Sequence, residues 1–590
     1  MALPNINSAV TGVKRVRIWY GFVVVVMLIF GVRLFYVQVI RYDYYKTAAL
    51  SDQLKQYEVP ARRGVIKAHD GDGLLPLVLN QKLYTLYADP TYVKNNQNVA
   101  LKLSAIIGVD ANKLQGQLAT KDTRYVILAK KLTPEQNTKI LALKFPGIGS
   151  SAIDYRTYPQ GSLAGQLLGF VDADGGGQYG VEQSLNTQLK GKSGLLKAIT
   201  DASGVPLAAS SGNIQTPPQN GKDVVLTVDL AMQQQLETIL AKGVTDTKAT
   251  GGSAVILDTS NGAVKAMANY PSYDPGNYAT VENPSTFQNA AVSYPIEIGS
   301  IMKSLTTAAA IDQGVIKPNT SYYDPSFFMV DSFRISNIEE DGGAGQRTIA
   351  DILNLSLNTG ATWELMQMGG GEINLKARTA WNTYLTKHYL FGQPTGIEQG
   401  YEAAGYIPGP KENGAGIDLT YANTAFGQAM TATPIQFAGA LSAMINGGTY
   451  YQPHLVESMI NGTQTVMAAP KILATNVVSA GTSQAMIPLM QNVVQKHNFN
   501  VRFDQTKYTV GGKTGTAQIA KPGGGYEDNE FNGTYAGFVG GDKPQYVIVV
   551  FVDKPKVSNG AYAGTAAAQP IFGDLAHMLI NDSYVSPKSR

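Results

Sequence analysis

The sequence predicts an α/β region at the C-terminal end of the chain, preceded by a middle region and one N-terminal membrane helix. Three observations predict it: an apolar run over 18–40, a strand, helix and hairpin pattern over 223–268, and three β patterns after residue 508, beyond a mainly helical stretch. At 590 residues the chain is longer than a single core fills, so two or more domains are expected.

The run IWYGFVVVVMLIFGVRLFYVQVI, 18–40, has the length needed to cross the hydrocarbon core of a bilayer, with Arg33 as its one charge. Trp19 and Tyr20 sit at one end and no small-residue cleavage site follows closely, so a retained transmembrane anchor is favoured over a cleaved signal peptide. Residues 1–17 hold Lys14, Arg15 and Arg17 and no acid, which predicts a cytoplasmic tail. The protein is then expected in the cell membrane, single-pass, with everything after residue 41 extracellular or periplasmic. Arg33 either snorkels to the outer interface or meets another membrane protein.

Composition excludes several classes of function. Lys+Arg 47 against Asp+Glu 44 leaves +3, and no long basic run is present, so nucleic acid is not an expected partner. There is no cysteine, which removes disulfides, thiolate metal sites and cysteine nucleophiles together. The five histidines, at 69, 388, 454, 497 and 577, form no H-E-x-x-H or similar cluster, so no metal and no other cofactor is expected.

The text ASGVPLAASSGNIQTPPQNGK at 202–222 is rich in Ser, Gly, Pro and Asn and reads as a surface linker or loop. It divides a middle region, 41–220, from a C-terminal region, 221–590. DVVLTVD follows as a strand, and Asp229 then N-caps a helix over LAMQQQLETILAK that Gly243 is expected to end. AVILD at 254–258, a turn at 259–262 and a strand at 263–268 form a hairpin, with Asn261-Gly262 supplying the positive φ such turns need. Tyr508–Thr514, Tyr535–Val539 and Tyr546–Asp553 read as three more strands. The sheet is thus expected to be closed by both ends of the region, around an insert of helices and loops.

Within the late strands, VGGKTGTAQ at 510–518 brings two glycines, a lysine and two threonines together. A phosphate loop fails on spacing, because it needs a glycine five residues before Gly512 and the chain has Lys507 there. On an innermost or edge strand, the glycines are expected to let another chain approach the backbone, and the lysine and hydroxyls to form a site for an extended, anionic substrate. Serine activated by lysine is the solution when no histidine base is at hand, and S-x-x-K puts both side chains on one helix face. The chain has one such motif, Ser300-Ile-Met-Lys303. Gly299 precedes it, an Ala-rich run continues it, and Gly314 with Pro318 ends it. Ser300 is therefore expected at a helix N-terminus, where free N–H groups favour developing negative charge. Taken singly, Ser300 and Lys303 also read as a helix cap and a surface lysine, and the 513 motif as a tight turn.

Ser300-x-x-Lys303 followed by Lys513-Thr-Gly-Thr516 resembles the active-site set of penicillin-binding proteins and serine β-lactamases. Their third motif is S-x-N, and of three matches in the chain only Ser356-Leu-Asn358 lies between the other two motifs. PARRGVIKAHDGDG (60–73), RYVILAKKLTPEQ (124–136), YPQGSLAGQLLGFV (158–171), QYGVEQSLNTQLKGKSG (178–194), AFGQAMTATPIQFAGALSAMINGG (425–448) and GFVGGDKPQYVIVVFVDKP (537–555) look like the class B penicillin-binding proteins, in order. The type is that of penicillin-binding protein 2 or the division transpeptidase. The resemblance implies an α/β transpeptidase domain over 221–590, an antiparallel sheet with helices plus a helical subdomain. It implies an elongated α+β pedestal of the dimerisation type over 41–220.

It also implies peptidoglycan D,D-transpeptidase activity through a serine acyl-enzyme, covalently inhibited by β-lactams. Ser300 would attack the penultimate D-alanine carbonyl of a stem peptide, with Lys303 as its base and Lys513 as the cation that keeps that lysine neutral. Ser356 would relay the proton and Asn358 would bond the substrate backbone. The backbone N–H groups of Ser300 and Thr516 would form the oxyanion hole, and Thr514, Gly515 and Thr516 would bind the substrate carboxylate and backbone. Arg63 and Glu182 would form a structural ion pair in the pedestal or, alternatively, a signalling hinge. Because class B enzymes make no glycan, a SEDS-family glycosyltransferase is the implied membrane partner.

Three positions depart from the family pattern: Ile298 replaces a proline, Met302 a phenylalanine, and Leu357 a smaller residue expected to affect the rim of the cleft. The first two are expected to alter packing without loss of activity. Competing readings are a carboxypeptidase or β-lactamase-like hydrolase, for which no water-activating base is found by motif, and a degenerate scaffold or β-lactam sensor, which the intact Ser300, Lys303, Ser356, Asn358 and Lys513 oppose.

Overall fold

The computed structural model describes residues 7–46, 54–120, 123–199, 214–337, 343–411, 416–497, 499, 502–521, 525–558 and 562–589. Residues 202–213 of the expected linker lie outside these. The chain divides into two compact units, Met1–Arg62 with Gly191–Asn220, and Arg63–Lys190 with Gly221–Arg590. In the first unit a helix over Asn7–Phe35 runs into a π-helical turn at Tyr36–Ile40, and its apolar part is long enough to cross a membrane. Leu54–Val59, Gly194–Ile199 and Ile214–Thr216 form a separate antiparallel sheet.

Two larger sheets organise the second unit. One runs in the order Gln464–Met467, Val456–Asn461, Asp223–Asp229, Ile66–Asp70, Gly73–Ala88 and Val126–Leu132, with Ile148–Thr157 also paired to Gly73–Ala88. The strand Asp223–Asp229 lies parallel to Ile66–Asp70. Gly64 makes this approach possible, because a Cβ there would fall 1.8 Å from the Lys222 carbonyl oxygen.

The other sheet carries the candidate site. Its order is Val264–Tyr270, Gly251–Asp258, Pro544–Asp553, Tyr526–Gly540 and Thr509–Ala520, so early and late strands close it as expected. The central strand is buried on both faces. Ile548, Val550 and Val552 pack with Leu236, Leu240, Phe572 and Leu575 of the terminal helices Leu230–Asp246 and Gln569–Asn581. Val547, Val549 and Phe551 face the insert, whose central helix Pro434–Ile445 is buried along its whole length. A strand with two apolar faces shows no alternation, which is why YVIVVFVD reads as a continuous apolar run.

Several expectations need correction. Asp229 caps its helix through Met232 N–H, but the helix continues past Gly243 to Asp246. Gly243 is a packing glycine, since a Cβ there would fall 2.3 Å from Ile571 Cγ1. In the 259–262 turn only Gly262 takes positive φ, at 80°, and Asn261 does not. The late strands reach Ala520 and start at Tyr526, well beyond the apolar patches that announce them, because polar residues and glycines pair there across a long hairpin. The insert also holds short hairpins, such as Phe327–Val330 with Phe333–Ser336.

Candidate active site

Gly299–Ile301 form a single 3₁₀ turn that leads directly into the helix Met302–Asp312. Ser300 thus sits at a helix N-terminus, half-buried, and Lys303 lies one turn along on the same face with no exposed surface. Lys303 Nζ is 3.0 Å from Ser300 Oγ. Ile298 and Met302 are both buried in the core below this turn, so the two departures from the family pattern are packing residues. The turn is pinned by Thr534, whose hydroxyl donates to the Ile298 carbonyl at 2.8 Å.

The second motif lies at a tight junction between the helices Ile349–Asn354 and Asn358–Gly369. Ser356 there has φ of 53°, a left-handed conformation that costs a non-glycine residue of order 1–3 kcal/mol and is held by its surroundings. Leu357, next to it, has no exposed surface, which corrects its expected place on the cleft rim: it anchors the junction in the core. The strained turn aims both the carbonyl and the hydroxyl of Ser356 at Lys303, whose Nζ donates to the carbonyl and lies 3.2 Å from Oγ. Lys513 Nζ reaches the same hydroxyl at 3.0 Å. One serine oxygen therefore bridges two lysines, both buried. Asn358 Nδ2 donates to the Ser336 carbonyl at 3.1 Å, tying the motif to the 327–336 hairpin.

Lys513 belongs to the edge strand Thr509–Ala520. Its glycines are needed by the protein's own packing. A Cβ on Gly511 would fall 2.2 Å from the Phe538 ring, and one on Gly512 would fall 2.5 Å from the Tyr535 ring, both rings belonging to the neighbouring strand. Gly515 is crossed by the serine turn, with a Cβ there 2.9 Å from the Ile298 carbonyl oxygen. Gly299, with φ of 65°, completes this contact, since a Cβ on it would lie 2.6 Å from the Thr516 carbonyl oxygen and 3.1 Å from its N. The turn bearing Ser300 thus lies against the strand at Thr516. Thr514 is buried beside Lys513, and the Thr516 hydroxyl accepts the Gly564 N–H at 3.1 Å, leaving its own proton free to donate.

Motif reading missed three neighbouring groups. Glu297, three residues before Ser300, accepts the Ala429 N–H at 2.9 Å and the Tyr526 hydroxyl at 3.1 Å, and burial raises its carboxyl above the usual range. His497 lies near Lys513, and burial together with that charge pushes its imidazole down to about 4. Glu364, on the Asn358–Gly369 helix, is fully buried, and burial pushes its carboxyl up to about 8. The available signal was an acid on an otherwise apolar helix face. Among the described residues no group of three or more His, Cys, Asp or Glu is arranged to hold a metal.

Arg63 and Glu182 do pair. Arg63 Nε donates to Glu182 Oε2 at 2.7 Å, and its Nη1 donates to Asn186 at 2.8 Å. The sequence did not disclose Arg156, whose Nε donates to the other Glu182 oxygen at 2.7 Å. One buried carboxylate thus joins two nearly buried guanidinium groups.

Residues 252–577 match the family described as the penicillin binding protein transpeptidase domain, and residues 58–226 match the penicillin-binding protein dimerisation domain. The stage V sporulation protein D of Bacillus subtilis is 32% identical over 587 residues, 98% of this chain and 88% of that protein. The peptidoglycan D,D-transpeptidase FtsI of Buchnera aphidicola is 27% identical over 570 residues, 95% of this chain and 94% of that one. The crystal structure of penicillin binding protein 3 from Mycobacterium tuberculosis, complexed with aztreonam, superposes with a TM-score of 0.67 at 24% identity, covering 90% of this chain and 98% of that one.

Proposed function

The chain belongs to the class B penicillin-binding proteins, and from that premise we propose that Ser300 is its acylated nucleophile, with Lys303, Ser356, Asn358 and Lys513 completing the catalytic set. The protein is a peptidoglycan D,D-transpeptidase. The observation that carries the residue assignment is the pair of contacts from Lys303 Nζ, 3.0 Å to Ser300 Oγ and 3.2 Å to Ser356 Oγ.

A serine hydroxyl near its free pKa is a weak nucleophile and needs a base within hydrogen-bond reach. Burial and a neighbouring cation both disfavour charge on a lysine, and Lys303 meets both conditions, with Lys513 across the Ser356 hydroxyl. Lys303 takes the Ser300 proton as Oγ bonds the penultimate D-alanine carbonyl carbon. The oxyanion is held by the N–H groups of Ser300 and Thr516, a role that the close packing of Gly299 on Thr516 supports. The proton then passes through Ser356 to the departing nitrogen, the C–N bond breaks, and D-alanine leaves. An amine of a second stem peptide attacks the ester, its proton returns by the same path, and Ser300 regains its hydrogen. Lys513 supplies the charge for the substrate's terminal carboxylate, and the Thr514 and Thr516 hydroxyls add hydrogen bonds. Asn358 bonds the stem-peptide backbone through its side-chain amide, one N–H of which serves Ser336. A β-lactam presents an acyl group and carboxylate in the same relation, so it acylates Ser300 and blocks the site.

The pedestal over 41–220 and the transpeptidase domain over 221–590 complete this reading. Lys14, Arg15 and Arg17 ahead of the apolar span support a cytoplasmic N-terminus and an exported catalytic domain. A SEDS-family glycosyltransferase is the partner, with Arg33 at the contact, since the pedestal shows no acidic glycosyltransferase motif of its own. Arg63, Arg156 and Glu182 serve as a structural cluster of the pedestal.

The test is a donor pentapeptide ending in D-Ala-D-Ala with an amine acceptor, analysed for released D-alanine and for the new amide. Amide formation that Ser300→Ala abolishes is the expected result. Release of D-alanine with hydrolysis alone, at saturating acceptor, overturns the transpeptidase assignment of this site.

A further inference from the structure

Below the reacting groups the two motif helices are joined a second time. Lys303 and Thr307 share one face of the helix Met302–Asp312, four residues apart. Lys303 meets Ser356 at the start of the neighbouring helix, and one turn deeper the Thr307 hydroxyl lies 2.8 Å and 3.1 Å from the two oxygens of Glu364. The mechanism above makes no use of this acid. Its carboxyl has no exposed surface, although a carboxyl buried on a helix–helix face is costly where an apolar residue would pack.

We propose that Glu364 is a positioning residue for the acylation step, a buried carboxyl that shares the charge state of Lys303 and so sets, with it, the pH at which that lysine becomes a base. The inference rests on Lys303 being the base for Ser300. Lys303 is the charged group that acts on the carboxyl from the serine helix, and it draws Glu364 toward ionisation while burial resists it. By reciprocity an ionised Glu364 holds the proton on Lys303. Other groups facing this region are Tyr322 and Asp324 from the strand Ser321–Asp324, where Tyr322 feels the Glu364 charge and Asp324 accepts the Thr359 hydroxyl at 2.7 Å. Arg347 and Asp351 also act on Tyr322, and Lys513 bonds the Ser356 hydroxyl that faces Lys303. Arg378 and Asp418, on the other helices packed against Asn358–Gly369, bond each other at 2.9 Å.

Glu364→Gln keeps the volume and an acceptor for Thr307 and removes only the ionisable charge. Thr307→Val removes the donor that favours the carboxylate. The rate of acylation of the full-length protein by benzylpenicillin, followed from about pH 5 to 9, gives the midpoint at which the base becomes active. Glu364→Gln is expected to move that midpoint down by about one pH unit, and Thr307→Val to move it down by less. Thr307→Val in the Glu364→Gln background should then shift nothing further. An unchanged midpoint in folded Glu364→Gln overturns the proposal. If that variant does not fold, an unchanged midpoint in Thr307→Val does so. No acylation of the parent at any pH overturns the assignment of Ser300 and Lys303, and this inference with it; acylation of the parent with unmoved variants overturns the inference alone.

Discussion

The Ser356 hydroxyl stands 3.0 Å from Lys513 Nζ, and the same oxygen lies 3.2 Å from Lys303 Nζ. A hydroxyl between two buried lysines can accept from one and pass its own proton on, so it links the proposed base, Lys303, to the proposed cation, Lys513. Ser356→Ala is expected to lower the penicillin acylation rate by about 10²–10⁴, the range for a lost acid–base group, without changing the melting temperature much. Stopped-flow acylation beside a thermal melt checks both halves.

Gly299 stands where no side chain fits. With φ of 65° and a notional Cβ 2.6 Å from the Thr516 carbonyl, Gly299→Ala must push the serine turn off the strand. The conformational cost alone is about 1–2 kcal/mol. Acylation should fall more than stability does, because the turn and the strand each carry one of the proposed oxyanion donors.

The Arg63, Glu182 and Arg156 cluster gives a prediction for stability. Glu182→Gln leaves two nearly buried guanidinium groups without their shared carboxylate. Breaking a buried ion pair from one side costs about 3–5 kcal/mol. Denaturant unfolding should show this loss while the acylation rate of the remaining folded protein stays near that of the parent.

Glu364 makes stability depend on pH. Its carboxyl is raised from 4.5 to about 8 in the folded chain, so the unfolded chain releases this proton first and folding weakens as pH rises between those values. Glu364→Gln should therefore match the parent most closely at and below pH 4.5 and gain on it up to about pH 8, by at most roughly 5 kcal/mol. Melting temperatures across that range would show the two curves diverge.

How much of this was legible in the sequence depended on whether a residue's role is local. Ser300 and Lys303 share a helix face four positions long, so spacing alone brings them together. Ser356 lies far off in sequence and only the order of the three motifs pointed to it, whereas Lys513 stood out within its own stretch of glycines and threonines. The glycines of VGGKTGTAQ were visible, but not the groups that need their space, Phe538 and Tyr535 on the neighbouring strand and Ile298 in the serine turn. Leu357 was linked to the cleft rim because it is bulkier than the family's usual residue there, whereas it lies buried beside the positive φ of Ser356. Gly243 looked like a helix stop because its partner Ile571 lies at the other end of the chain. Arg156 and Glu364 carry no motif, and long-range pairing alone gives them a role.

Intact mass spectrometry of the full-length protein after incubation with benzylpenicillin, beside Ser300→Ala, tests the central claim most directly. The account predicts one stable drug adduct on the parent and none on the variant. An adduct that persists in Ser300→Ala, or a folded parent that takes up no drug, would contradict it.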